Sequence, residues 1–416
     1  MLRTTWRRFG FQARLDQERC DDTDAVAVNY FSRLLPSMKS LRFIRPALSS
    51  RFVSLVLALP VFLPVALAGS DNTVEPATRT RPLPELHIAG RQVLAADGRE
   101  VWLQGVNIVS LEYTLTGQHV AEAIQIAIGD WKANTIRLPV KDTYWLGRDP
   151  AQKDGGAAYR QLVADTIEQI VSRGAYAVLD LHRFGAVRQT DIEFWQSAAT
   201  RFRNHSGVLF DIFNEPHSTS WEVWRNGGWV SERKEKTADE DAFLAASESA
   251  KNRVGFESPG MQKLVEAIRA TGARNVIIAG GLDWAYDLSG IVDGYALNDP
   301  TGNGIMYSTH IYNWKRDWTG MVMRAAEKHA IFVGEVGADV KKMSFIKLEL
   351  QEDPFTWAPD MLGLIQKNRF NWTAWSFNPG TTPVLISDWK FTPTPFWGEF
   401  AKAALSGREF KLERMR

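Results

Sequence analysis

Residues 134–182 read NTIRLPVKDTYWLGRDPAQKDGGAAYRQLVADTIEQIVSRGAYAVLDLH, and this stretch decides the fold. Its two ends, 134–139 and 175–182, are short apolar runs of the kind that form buried parallel strands. Between them, 157–173 has a helical period: Leu162, Thr166, Ile167, Ile170 and Val171 share one face, and Gly174 ends the pattern. The same rhythm extends outward in both directions. Strands are expected near 101–107, 208–213, 275–280, 306–312, 330–335 and 371–377, which brings the number to eight. Helical patterns cover 119–132, 191–204, 260–272, 318–329, 358–369 and 395–405, with only a weak signal between the fifth and sixth strands. Eight strand–helix units predict an α/β fold, a (β/α)8 TIM barrel over residues 85–416, rather than an open sheet. An N-terminal β-hairpin, LHIAGRQVLAADGREV (86–101), is expected to turn at Asp97-Gly98 and cap the lower end of the barrel.

The chain has 416 residues, 45% hydrophobic and 23% charged, ordinary values for a soluble globular protein. A net charge of +1 excludes a strong electrostatic pull toward nucleic acid or membrane surfaces. The 16 tryptophans hint at a ligand with flat apolar faces and polar edges, such as a sugar. Cys20 is the single cysteine, so neither a disulfide framework nor a cysteine-based zinc site is available.

A secretory pattern starts at Met38. Lys39, Arg42, Arg45 and Arg51 form a basic region, Phe52–Leu67 is an apolar run, and Ala66-Leu67-Ala68 reads as a cleavage site before Gly69. With Pro60 and Pro64 inside it, the run is short and broken for a membrane anchor. The expectation is a signal peptide at 38–68, a polar linker at 69–84, and secretion or export to the periplasm without lasting membrane insertion. Residues 1–37 do not belong before a signal peptide and read as a misassigned upstream extension. Removal of Cys20 would leave a mature protein without cysteine, suited to an oxidising compartment.

About sixty residues separate the fourth and fifth strands. The polar segment 218–258 is expected to form a wall or lid of a cleft, with a flexible middle around Glu232–Asp241. In a (β/α)8 barrel, polar residues at the C-terminal ends of strands are the first functional candidates. Here they are Arg137, His182, Asn214-Glu215, His310, Tyr312, Glu335 and Trp375. Glu215 and Glu335 abut buried strands four and seven, where a carboxylate carries a desolvation cost that partners or function must offset. Two carboxylates facing each other across one mouth suit glycosidic bond cleavage. One protonates the leaving oxygen; the other attacks the anomeric carbon or activates water. The bland alternative is a structural ion pair with Arg137. Trp145, Trp221, Trp224, Trp284, Trp314 and Trp318 lie on or near loops after strands, and two or three of them are expected to line the cleft. The set His182, His310 and Glu335 lacks the H-x-H or paired-Asp clusters of a zinc site, so no metal or other cofactor is expected.

The motifs LQGVN (103–107), NTIRLP (134–139), VLDLH (178–182), DIFNEPH (211–217), STHIY (308–312), VGEVG (333–337) and TAWSF (373–377) together resemble glycoside hydrolase family 5, the cellulase-containing family of retaining (β/α)8 enzymes. The resemblance runs from about residue 86 to 405, with Val336 where the family usually has Phe. It implies that Glu215 is the general acid/base and Glu335 the nucleophile of a double displacement. It further implies that Asn214 bonds the substrate 2-hydroxyl, that Arg137 and Tyr312 hold Glu335, that His182 and His310 bind sugar or support the carboxylates, and that Trp375 is the sugar platform. The expected protein is a monomeric endo-β-1,4-glucanase acting on a polysaccharide or oligosaccharide. Mannan, xyloglucan, β-1,3-glucan, an exo-acting β-glucosidase and a non-catalytic sugar-binding barrel are the alternatives.

Overall fold

The computed structural model describes residues 82–232, 254–344 and 346–416. The upstream extension, the signal segment and the linker up to residue 81 lie outside the described residues. Among the described residues, no helix is long and apolar enough to cross a membrane.

Eight parallel strands close into a barrel in chain order. They are β1 Gln104–Asn107, β2 Thr135–Val140, β3 Tyr176–Leu181, β4 Val208–Asp211, β5 Ile277–Gly280, β6 Ile305–Tyr312, β7 Ile331–Gly337 and β8 Asn371–Ala374. β2, β3 and β7 are buried along their whole length, which is why they read as continuous apolar runs rather than alternating ones. All eight expected strands are present. Gly105 shows how tightly they pack: a Cβ there would stand 1.6 Å from the Thr135 carbonyl oxygen, so β1 can lie against β2 only without a side chain.

The outer layer holds α1 Val120–Gly129, α2 Ala157–Val171, α3 Gln189–Phe202, α4 Gly260–Ala270, α5 Pro354–Asn368 and α6 Gly398–Leu405. α2 buries Tyr159, Val163, Thr166, Ile167 and Ile170; Leu162 and Val171, expected on that face, sit at its half-buried edge. Two units depart from regular helices. The weakly signalled connection after β5 forms one wide turn, Ile291–Tyr295, with Gly294 at φ 109°. The expected helix 318–329 is a π-helical turn, Thr319–Met323, that tightens into a short α segment, Arg324–Ala326.

The N-terminal hairpin is present, but its turn is not at Asp97-Gly98. Leu86–Ala89 pairs with Gln92–Ala95, so the chain reverses at Gly90-Arg91, with Gly90 at φ 60°. Asp97-Gly98 makes a second reversal, which brings Glu100 back beside Leu94. Both dipeptides carry turn chemistry, and strand pairing decides between them. Leu86, Val93 and Ala95 pack with Val101, Leu103, Val178, Ile278 and Phe332 into one apolar cluster that plugs the N-terminal end of the barrel. The opposite, C-terminal end is left open for polar side chains.

The long connection after β4 is more ordered at its base than its composition implies. Ser220 caps a helical turn, Trp221–Asn226, by accepting from the Val223 amide at 3.2 Å. Gly228–Ser231 then pairs antiparallel with Gly255–Ser258. Arg188, at the start of α3, stacks over Phe256 at 3.7 Å and pairs with Glu232, tying this ribbon to the neighbouring β3–α3 loop. Of the expected flexible middle, Glu232–Asp241, only Glu232 lies within the described residues.

Candidate active site

Arg137, on β2, organises the mouth of the barrel. It is fully buried, and its guanidinium meets three carboxylates: Asp211 at 2.8 Å, Glu335 at 3.0 Å and Asp180 at 3.1 Å. It also donates to Asn107 Oδ1 at 3.0 Å and Asn214 Oδ1 at 2.8 Å. The fixed fork of a guanidinium suits this job, because each N–H is aimed at a different strand end. Asn107 closes the frame by donating from Nδ2 to the Gly334 carbonyl at 3.0 Å.

Glu335 lies within β7 and is held at both oxygens: Oε1 by Arg137 and Oε2 by the Tyr312 hydroxyl at 2.5 Å. Burial leaves its pKa raised on balance, with Arg137, His182 and the Tyr312 hydrogen bond limiting the rise. Glu215 follows β4 in a short pairing of Glu215-Pro216 with Phe184-Gly185. Its amide donates to the Arg183 carbonyl at 3.0 Å, fixing the backbone beneath the side chain. Among the described residues, neither a lysine nor an arginine pairs with its carboxylate. Burial first, and then the charge of Glu335, push its pKa well above the usual carboxylate range. The two acids therefore differ in their support: Glu335 has a guanidinium and a hydroxyl donating to its oxygens, which favours the carboxylate, while Glu215 has neither and is pushed well toward the protonated form.

His310, on β6, stands between them. Its Nδ1 is 3.0 Å from Glu215 Oε1 and 3.6 Å from Glu335 Oε2. Burial, and then Arg137, hold this imidazole neutral by lowering its pKa well below 6.5. Gly334 gives the ring its room, since a Cβ there would lie 3.0 Å from His310 Nε2. One oxygen of each glutamate and the His310 Nδ1 lie within 4.8 Å of one another. Among the described residues, this trio is the grouping of metal-ligand type, and it differs from the set weighed from sequence by having Glu215 in place of His182. The Arg137 guanidinium already covers Glu335 Oε1, and a cation bound there would face its charge.

Around this centre, His182 Nδ1 pairs with Asp180 Oδ2 at 2.7 Å, and its ring lies parallel to Trp375, centroids 5.8 Å apart. Trp375 is fixed by Trp397, whose indole donates to the Trp375 carbonyl at 2.8 Å; the Trp375–Ser376 peptide is cis. Asn214 Nδ2 is buried and, among the described residues, has no acceptor within reach, a donor left over for a ligand. All eight residues singled out from the sequence thus converge on one mouth.

The aromatic expectations divide. Trp145, Trp224 and Trp318 are core residues, as are Trp131, Trp195, Trp357, Trp372 and Trp397. Burial, rather than sugar binding, accounts for much of the tryptophan content. Trp221 packs half-buried against Trp224. Trp314 and Trp284 do border the site. Trp314 stacks on Tyr312 at 4.8 Å, and Trp284, 47% exposed, stacks on His217 at 4.3 Å. Trp284 is carried on three consecutive left-handed residues, Asp283, Trp284 and Ala285, with φ of 53°, 55° and 60°. The Lys315–Asp283 ion pair at 2.7 Å and the Trp284 amide bond to the Pro216 carbonyl at 3.1 Å hold that turn.

Sequence reasoning missed Asn107, Asp180, Asp211 and Lys315. Asp180 and Asp211 carried a usable signal, since each is an acid embedded in an apolar strand, VLDLH and VLFDIF. Strand partners across β3 and β4, they flank the same guanidinium, and burial pushes each up to about 7.

The family model described as cellulase (glycosyl hydrolase family 5) matches residues 94–381. The chain belongs to glycosyl hydrolase family 5. It is therefore a glycoside hydrolase on a (β/α)8 barrel. Among its relatives, cellulase CelDZ1 of Thermoanaerobacterium sp is 22% identical over 83% of this chain and 86% of that protein. An endoglucanase of Paenibacillus polymyxa is 23% identical over 73% of this chain and 83% of its own length. The chain spans about half, 52%, of endoglucanase A of Butyrivibrio fibrisolvens, at 22% identity over 61% of this chain. Among solved structures, the β-glucanase SdGluc5_26A of Saccharophagus degradans, in complex with cellotetraose, superposes with a TM-score of 0.62 at 20% identity, covering 78% of this chain and 94% of that one.

Proposed function

We propose that this family 5 protein is a retaining endo-β-1,4-glucanase, with Glu215 as general acid/base and Glu335 as nucleophile. One observation carries the reading: an oxygen of each carboxylate lies within 4.8 Å of the other, while Arg137 and Tyr312 brace Glu335 alone. Retaining enzymes keep the two carboxyl groups about 5–5.5 Å apart, whereas inverting ones leave about 6.5 Å or more for a water molecule. Glu335 attacks the anomeric carbon as a carboxylate, and Glu215 gives its proton to the leaving oxygen. Glu335 is then an ester and no longer repels charge on Glu215. Glu215 becomes the base that draws a proton from water, and the water releases the sugar with its starting configuration. Asn214 offers its spare Nδ2 donor to a sugar hydroxyl, and Trp375 offers a flat apolar face beside Glu335.

The endoglucanase and cellulase names of the relatives, and the cellotetraose bound by the Saccharophagus degradans enzyme, support a β-1,4-glucan as substrate. The test is a panel of soluble β-linked glycans with product lengths resolved. The expected outcome is cleavage of β-1,4-glucan to mixed oligosaccharides; cleavage of mannan or β-1,3-glucan alone, or release of glucose only, overturns it. The basic and apolar pattern at 38–68 supports export of a protein whose mature form begins at Gly69. Mass spectrometry of the exported protein tests this, and a peptide from before Met38 contradicts the assigned start.

A further inference from the structure

Glu215 and Glu335 are not the only acids at the mouth. Glu112 sits on the short helical turn Ser110–Tyr113 that follows β1. Its side chain is only 17% exposed, and its Oε2 lies 3.5 Å from His182 Nε2, too far for a firm hydrogen bond. That oxygen is buried and has no donor within reach among the described residues. Shielding a carboxylate oxygen from water without giving it a donor is costly. Such an oxygen calls for an explanation, and a ligand donor is the chemical one at the rim of a binding site.

The surroundings indicate which part of a ligand would meet it. Glu112 faces His182, which lies parallel to Trp375, while Phe184, 48% exposed, stands edge-on to the same imidazole at 5.3 Å. Burial raises the Glu112 pKa; His182 and a hydrogen bond from the neighbouring Tyr113 hydroxyl oppose that rise, while the charges of Asp180 and Glu335 add to it. A general acid must touch the leaving oxygen, and Trp284, bonded to Pro216 and stacked on His217, lies on the Glu215 side, which suits the departing half of a chain. The half that stays on the nucleophile lies past Glu335, over β8, β1 and β2. β1 is the strand between β8 and β2, and Glu112 sits on the helical turn Ser110–Tyr113 just past its end at Asn107.

We propose that Glu112 is a specificity residue of the glycone side, its carboxylate accepting hydrogen bonds from free hydroxyls of the glucosyl unit bound beside Trp375. This rests on the glucanase reading above. The unpartnered Oε2 is an acceptor, so it matches hydroxyl donors and gains nothing from a hydroxyl that has been capped. Glu112 thus rewards unsubstituted chains and is indifferent to chains whose hydroxyls are methylated.

The test compares wild type with Glu112→Ala and Glu112→Gln on cellotetraose and on a partially O-methylated cello-oligosaccharide of the same length, with melting temperatures measured in parallel. A hydrogen bond to a charged group is worth enough that Glu112→Ala should lower kcat/KM on cellotetraose by about 10- to 100-fold. The loss on the methylated chain should be under about threefold, since there is little left to lose. Glu112→Gln, which keeps one acceptor oxygen, should fall between. Equal losses on both substrates indicate a purely structural or electrostatic role and overturn the proposal, as does no loss on cellotetraose. A wild-type preference for glucosaminyl oligomers that vanishes in Glu112→Gln overturns it in favour of an ammonium ligand. Absence of wild-type turnover on cellotetraose refutes the glucanase reading and this inference together. Wild-type turnover with an unaltered Glu112→Ala refutes this inference alone.

Discussion

Replacing Tyr312 by Phe removes one hydroxyl and little else, which makes it a clean probe of how Glu335 is kept ionised. The hydroxyl donates to Glu335 Oε2 at 2.5 Å. His310 Nδ1, 3.6 Å from that oxygen, is too far to replace it, while Oε1 keeps Arg137 at 3.0 Å. A hydrogen bond to a charged group contributes about 1.5–3 kcal/mol. Since 1.36 kcal/mol corresponds to one pKa unit, losing it should raise the pKa of Glu335 by about 1–2 units. The sign follows from the charge: the hydroxyl stabilises the carboxylate, so its removal favours the protonated, inactive form. In a pH profile of kcat/KM on an aryl cellobioside, the acid limb reports this group in the free enzyme. The limb should move to higher pH by about 1–2 units while the alkaline limb, set by Glu215, moves far less. An acid limb that stays in place, or moves to lower pH, refutes the assignment of Glu335 as the group that must be ionised.

Three other substitutions probe different parts of the account. Glu215→Ala should cut turnover by about 10²- to 10⁴-fold on substrates with poor leaving groups and much less on activated aryl glycosides, with azide restoring turnover and giving a β-glycosyl azide; an α-azide contradicts the double displacement. Asp211→Asn should help stability most at high pH. A carboxyl raised to about 7 in the fold holds a proton that the unfolded chain loses near 4, so its contribution is complete below about pH 4 and is lost as pH rises through 7. The melting temperature of the variant relative to wild type should therefore climb from pH 5 to pH 8, and a flat or falling difference counts against a protonated Asp211. Gly105→Ala drives a methyl into the Thr135 carbonyl and should cost more than about 3 kcal/mol of stability or prevent folding, as measured by denaturant titration; near-native stability would show that β1 can retreat from β2.

The fold was legible because the barrel strands are short apolar runs, most of them with a polar residue at the C-terminal end, and because α2 and α4 keep an unbroken helical period. The two catalytic candidates were legible for a related reason. NEP and GEVG place a charge where burial would otherwise forbid one. What stayed hidden depends on three-dimensional neighbours. Asp180 and Asp211 are as conspicuous in their strands as Glu335 is, yet only the barrel shows that they share Arg137 with it. Glu112 lies in a four-residue turn too short to have a period. The hairpin reverses at Gly90-Arg91 because pairing of Leu86–Ala89 with Gln92–Ala95 outweighs the stronger turn dipeptide seven residues on. Trp145, Trp224 and Trp318 follow strands in sequence but turn inward, since an indole buries a large apolar area wherever the barrel wall offers space.

The central claim is that Glu335 forms a covalent glycosyl ester. Incubation of the protein with a 2-deoxy-2-fluoro cellobiosyl fluoride, followed by intact-mass measurement and peptide mapping, tests it most directly. The account predicts a single added 2-fluorocellobiosyl mass, carried by the peptide that contains Glu335 and released slowly by water or an acceptor sugar. An adduct on any other residue, or time-dependent turnover of the reagent with no adduct and an α-configured first product, would contradict it.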